Sequence, residues 1–154
     1  MIEWTISRVA TSAVVLIIAL SILGLFGMEA ASVRQMELRD LADSVSDLVA
    51  DVDMLPCAAS VEVNLTVSAE SFGLPRAFHG DPYTIELTAG RPYVVWHGDR
   101  AAGHPFSSMV RLADRSGAPV SILTVRSVEG FVVSSQPEWA DWGLDLPISI
   151  SPLD

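Results

Sequence analysis

The hydrophobic pattern changes character twice along the chain. Val9–Met28, VATSAVVLIIALSILGLFGM, holds no charged side chain, and its polar content is Thr11, Ser12 and Ser21. A helix over this stretch, at ~1.5 Å per residue, is roughly 30 Å long, which matches the hydrocarbon core of a bilayer. The rest of the chain is too short to bury such a helix in a soluble core. The stretch therefore predicts a membrane-spanning helix. A cleaved signal peptide fits less well. In MIEWTISR, Glu3 nearly cancels Arg8, the apolar run exceeds a usual signal core, and Ala30-Ala31-Ser32 lies in continuing helical pattern.

From Glu29 to Leu55 the pattern becomes amphipathic, with no Pro or Gly. Leu38, Leu41, Val45, Leu48, Val52 and Leu55 recur at alternating spacings of three and four, which is one apolar stripe on a helix. Asp40, Asp43, Asp47 and Asp51 fall on other faces. Such a stripe packs on its own domain or against neighbouring subunits. Pro56 ends the helix, since its ring clashes with the preceding turn and it has no amide donor. Residues 1–55 thus read as one helical rod. Gly24 and Gly27 weaken it near the end of the apolar half.

From Ser60 the period becomes two. Val61, Val63, Leu65 and Val67 alternate with Glu62, Asn64, Thr66 and Ser68, the signature of a half-buried strand. A loop with Gly and Pro follows. Tyr83–Thr88 and Tyr93–Trp96 then form a hairpin across Thr88-Ala89-Gly90-Arg91. A loop over 97–108 leads to a strand near Met109–Ala113, and Asp114-Arg115-Ser116-Gly117 is turn chemistry. Val120–Val128 and Phe131–Ser134 read as a second hairpin across Glu129-Gly130. A loop with Trp139 and Trp142 precedes a last strand near Leu146–Ile150. No internal repeat is evident. The expected fold is α+β: a long N-terminal helix, membrane-spanning and then amphipathic, followed by a small antiparallel β-sheet or sandwich domain. By secondary structure the division falls at 1–55 and 56–154.

Charge narrows the functional classes. The net charge is −10, and all nine positive side chains are Arg. Nucleic-acid binding and docking on anionic lipid both need basic clusters, so neither is expected. Cys57 is the only cysteine, which rules out an intrachain disulfide and a Cys-based metal cluster. Leu55-Pro56-Cys57 is a poor lipoprotein box, because it lies far beyond the apolar run and Pro replaces the small residues. A buried or half-buried thiol at a helix end is expected instead. Basic residues on the two sides of the span give little orientation bias. The short tail before the span favours a signal-anchor with the C-terminal domain outside. Asn64-Leu65-Thr66 is a glycosylation sequon, and Asn64 is the candidate acceptor on that exported domain.

Candidate chemistry is sparse. His79, Asp81, His97, Asp99 and His104 would need to converge to make a metal site, and no helical ligand spacing supports this. Solvated turn residues are the simpler reading. There is no Gly-x-Ser-x-Gly, no phosphate-cradling Gly loop and no Lys, so no enzymatic activity, cofactor or metal is expected. Trp4 suits an interfacial anchor at the start of the span. Trp139 and Trp142 suit either rings that cap one end of the core or an exposed recognition patch.

Three features together resemble the archaeal type IV pilin-like proteins, including minor pilins and secretion-type pseudopilins. They are the charge-free helix Val9–Met28, its acidic striped extension Ser32–Leu55, and Gly73-Leu74-Pro75-Arg76-Ala77-Phe78-His79-Gly80-Asp81-Pro82-Tyr83-Thr84-Ile85-Glu86-Leu87. The last looks like the Leu-Pro, Gly, Tyr-x-Ile-x-Leu pattern of that family. The resemblance implies a structural subunit of a pilus-like or pseudopilus assembly, a homo- or hetero-oligomer whose helices bundle as they leave the lipid bilayer. Val9, Ala13, Leu16, Leu20, Gly24, Leu41, Val45, Leu48 and Val52 would carry anchoring and helix packing, with small Ala10, Ala13, Ala19 and Gly24 allowing close approach. Glu3 would stand where the family has a buried N-terminal glutamate. Family precursors carry a basic leader that MIEWTISR does not show. That leaves a chain numbered from its mature end, a start upstream of Met1, or an unprocessed protein. The expected location is the cell membrane, single-pass, or a surface filament. The competing reading is a stand-alone, membrane-anchored binding module of the cell envelope that recognises partners through the Trp139/Trp142 loop.

Overall fold

A computed structural model describes residues 2–55, 57–65, 72–108, 110–135, 138–140, 143–145 and 147–153, with the backbone alone for 2–13, 138–140 and 143–145. One helix, α1, runs Ile2–Asp53. Ten strands follow: β1 Ala59–Asn64, β2 Thr84–Thr88, β3 Pro92–Trp96, β4 Asp99–Ala102, β5 Val110–Leu112, β6 Ile122–Arg126, β7 Gly130–Ser135, β8 Glu138–Ala140, β9 Gly143–Asp145 and β10 Ile148–Pro152. The fold is α+β, one long N-terminal apolar helix ahead of a small, mostly antiparallel β-domain.

The chain divides into two compact units, 1–36 and 37–154. The sequence division at 55/56 follows secondary structure, whereas this one follows packing. The reason is the helical stripe. Leu38, Leu41, Val45, Leu48 and Val52 are buried, together with Ala42 and Val49, in the core shared with the β-domain. Leu55, the last predicted member, is 40 % exposed, because the regular helix stops at Asp53 and the stripe stops with it. Cys57 is exposed, not buried or half-buried as expected, since it lies beyond the packed turns. Pro56 lies outside the described residues.

The strands form two four-stranded sheets, ordered β1-β7-β10-β5 and β4-β3-β2-β6, and a separate pair β8-β9. All partners are antiparallel except β10 with β5, which are parallel. Alternation determines the faces. Ile85 and Leu87 of β2, Val94 of β3, and Leu123 and Val125 of β6 point into the core, as do Phe131 and Val133 of β7 and Ile148 and Ile150 of β10.

The hairpin β2–β3 lies where the pattern puts it, closed by Thr88, whose amide donates to the Arg91 carbonyl at 3.1 Å. The turn at Asp114 also holds. Its carboxylate accepts from Ser116 Oγ at 2.6 Å, Ser116 N at 2.8 Å and Ala118 N at 3.0 Å. The Ser116 hydroxyl, then the Ala118 amide, hold the Asp114 carboxyl below its ordinary range.

Three elements differ from the pattern. β6 and β7 are not a hairpin: β6 pairs with β2, while β7 pairs with β1 and β10. The turn between them is a corner between sheets, in which Ser127 N donates to the Tyr83 carbonyl at 2.9 Å and Leu65 N to the Glu129 carbonyl at 3.0 Å. The predicted loop 97–108 contains β4, and the predicted Trp loop contains the hairpin β8–β9. The side chain of Trp139, all of Trp142, and the predicted strand positions Thr66, Val67, Met109 and Leu146 lie outside the described residues.

Candidate functional site

Between Val14 and Met28, α1 carries eleven large apolar side chains that are exposed, Leu23 at 67 % and Phe26 at 65 % among them. Their exposure to water would cost on the order of 10–20 kcal/mol, comparable with the whole stability of a small domain. By length and composition the helix is long and apolar enough to cross a membrane. Ser21, the one polar residue of this part, donates its hydroxyl to the Ile17 carbonyl at 2.8 Å, which leaves little unmet polarity. Leu16 and Leu20 are uncovered, and a Cβ at Gly24 would meet nothing within 4 Å. The side chains of Trp4, Val9, Ala10 and Ala13 lie outside the described residues. The stripe residues Leu41, Val45, Leu48 and Val52, by contrast, are used up inside their own domain.

The three histidines, weighed above as ligands and read as turn residues, each face a different carboxylate. His79 Nε2 lies 2.9 Å from Glu37 Oε2, His97 Nε2 lies 3.1 Å from Asp81 Oδ2, and His104 Nε2 lies 3.4 Å from Asp43 Oδ2. Among the described residues no group of three His, Cys, Asp or Glu is placed to hold a metal ion. The histidines are all exposed, so each pair contributes at most about 1 kcal/mol. Two of the pairs join a loop to the helix. His104 adds a backbone bond, donating its amide to Asp43 Oδ1 at 2.8 Å, and Ser46 Oγ donates to the His104 carbonyl at 2.9 Å.

A short repeat escaped the sequence reading. Phe78-His79-Gly80-Asp81 and Trp96-His97-Gly98-Asp99 are two copies of aromatic-His-Gly-Asp. Each closes a two-residue turn, with positive φ at both centres: 51° and 90° at His79 and Gly80, 47° and 90° at His97 and Gly98. Positive φ at both positions is what the favoured hairpin turn requires, and His takes the place usually held by Asn or Asp. The turns pack on each other. The Phe78 and Trp96 rings meet edge-on at 5.2 Å, and His97 of one turn reaches Asp81 of the other. Beside the first turn lies a shallow groove of about 360 Å³ lined by Glu37, Asp40, Leu41, Pro75, Phe78 and His79.

Asn64 ends β1 opposite Gly130 and is half-buried. Comparison with known proteins finds no matching family model, no matching curated protein and no matching solved structure.

Proposed function

We propose that this protein is a pilin-like structural subunit, held in the membrane and packed with its neighbours through the apolar part of α1. One observation carries the reading: the division of labour along a single helix. From Leu38 to Val52 the apolar stripe is buried within its own domain, while Val14–Met28 is uncovered over all its faces. A stripe would suit a soluble partner, but apolar surface on every face suits lipid and other apolar helices. Leu16, Leu20 and Gly24 supply the contact surface, and Gly24 allows close helix approach.

In this reading the span is single-pass, the domain 37–154 lies outside the cell, and Asn64 carries glycan. The two four-stranded sheets act as the layers of a small sandwich whose acidic surface keeps it soluble. The assigned role is packing, without turnover chemistry. The competing reading, an unassembled membrane-anchored module, shares the span but predicts a monomer.

The test is Leu20→Asp in the native host, followed by fractionation. The charge costs roughly 2.5–3.5 kcal/mol at the centre of a span, so the variant should be depleted from both membrane and filament fractions. Retention in both at the native level would refute the reading. Gly24→Leu separates the two functions. Loss of filaments with membrane retention supports packing, whereas no change in either fraction supports the monomeric module.

A further inference from the structure

Each four-stranded sheet has two edge strands, and an edge presents backbone amides and carbonyls that proteins usually cover, shorten or flank with charge. Three of the four edges here are managed in those ways. β5 is three residues long, and the returning chain covers its end, where Val120 N donates to the Leu112 carbonyl at 2.9 Å. β4 is four residues long and begins with Asp99 and Arg100. β1 carries Glu62, exposed, in its middle. β6 has no such device along Ile122-Leu123-Thr124-Val125, which is uncharged, free of Pro and rich in strand-favouring side chains. Among the described strand residues, Ile122 is the one large apolar side chain that is exposed, at 55 %.

The ladder determines which backbone groups of β6 are open. Ser127 N donates to the Tyr83 carbonyl at 2.9 Å, so these two residues turn their backbone groups toward each other. In an antiparallel ladder this facing alternates. Val125 and Leu123 therefore also face β2, opposite Ile85 and Leu87, while Ile122, Thr124 and Arg126 turn their groups to the outer edge. Both groups of Arg126 are taken: its amide donates to Glu129 Oε2 at 3.2 Å, and its carbonyl accepts from Glu129 N at 2.9 Å. Among the described residues, no hydrogen bond reaches the outward groups of Ile122 and Thr124.

The geometry points to a second copy of β6 as the occupant of this edge. An open stretch of two outward residues, closed at one end by the Glu129 cap, is complementary to itself. In an antiparallel pair centred on Leu123, Ile122 of each copy exchanges both backbone bonds with the partner's Thr124, which makes four bonds. The neighbouring symmetric register, centred on Thr124, sets Ile122 against the capped Arg126 and makes two. In the four-bond register the two Arg126 residues stand roughly 20 Å apart, six residues along the strands, so like charges do not oppose. The sheet β4-β3-β2-β6 then continues into that of the partner as one sheet of eight strands. The contact is isologous, the same surface on both copies, and belongs to the 37–154 domain alone, separate from packing through α1.

The test uses the full chain in detergent micelles, with Cys57, the single cysteine, changed to Ser. Thr124→Cys places two thiols diagonally across the pair, with their side chains roughly 7–8 Å apart. A bis-maleimide that spans about that distance should join them into a covalent dimer as the ratio of chain to detergent is raised. Arg126→Cys in its place should not be joined by the same reagent. Ile122→Pro, added to the Thr124→Cys chain, deletes an amide that points away from β2 at the first residue of an edge strand, where Pro is tolerated. It removes two of the four bonds and should cut dimer yield by roughly tenfold or more. Near-UV circular dichroism checks its fold, and Ile122→Lys, which keeps the amide but adds an edge charge, decides if the Pro variant unfolds. Gly24→Leu should leave the cross-link in place, because that residue serves α1. No dimer from Thr124→Cys at any ratio would overturn the edge pairing. So would equal dimer yield from Arg126→Cys, or a yield unchanged in both Ile122 variants.

Discussion

Gly103 packs closely on the helix, and replacing it tests how the β-domain and the helix are joined. A Cβ at this position would collide with the Ala42 carbonyl oxygen and come within 2.7 Å of its carbon and 2.9 Å of Ser46 Oγ. Backbone of a packed helix cannot yield locally, so in Gly103→Ala the loop must lift. Lifting breaks the Ser46–His104 bond at 2.9 Å and the His104–Asp43 backbone bond at 2.8 Å. Overpacking of this kind costs about 1–3 kcal/mol, and each lost hydrogen bond contributes about 1 kcal/mol. The expected loss is ~3–5 kcal/mol. For a unit of about 120 residues that lowers Tm by roughly 12–20 °C. The assay is thermal unfolding of the full chain in detergent micelles, followed by near-UV circular dichroism. Gly90→Ala is the control, because a Cβ there meets nothing within 4 Å. It should melt within about 2 °C of wild type. A Gly103→Ala protein that melts with the control would refute the helix–loop contact.

Other outcomes follow from the same packing. Leu48→Asp places an unpaired charge in the core and should unfold the domain, losing more than ~4 kcal/mol in a denaturant titration; Leu20→Asp should leave that titration unchanged. Burial pushes the Tyr83 hydroxyl up to about 12 from an ordinary value of 10.0, and it donates to the Pro75 carbonyl at 2.7 Å. The folded state keeps this proton longer than the unfolded chain does. Stability is therefore intact below pH 10 and declines by ~2–3 kcal/mol as the pH rises to about 12. Tyr83→Phe should flatten that alkaline slope in pH-dependent melts. Gly98→Val, at φ 90°, should cost about 1–3 kcal/mol and loosen the hairpin that β3 forms with β4, visible as faster amide exchange at Ala101.

Much of the architecture can be read from periodicity. The charge-free run and the three-four stripe define α1, and the alternation at Ile85 and Leu87 against Val94 defines a buried hairpin. The parts that could not be read depend on tertiary choices. Nothing local says that β7 leaves β6 for β1 and β10, because Glu129-Gly130 is equally good as a hairpin turn or a corner. The strand Asp99–Ala102 is hidden because Asp-Arg-Ala-Ala has low strand propensity and is held by its pairing with β3. The turn that makes this pairing, Trp96-His97-Gly98-Asp99, was visible as a copy of Phe78-His79-Gly80-Asp81. The histidines read as turn residues, but their spacing says nothing of direction, and the fold turns each toward a different carboxylate. The close approach at Gly103 left no signal in a lone Gly.

The account turns on assembly through the exposed apolar helix. The most direct measurement is mass spectrometry of the filament fraction sheared from the surface of native cells, compared with the membrane fraction of the same cells. The account predicts peptides of the 37–154 domain in the filament fraction, lost when Gly24 is replaced by Leu. Finding the chain in the membrane fraction alone, at wild-type sequence, would contradict it.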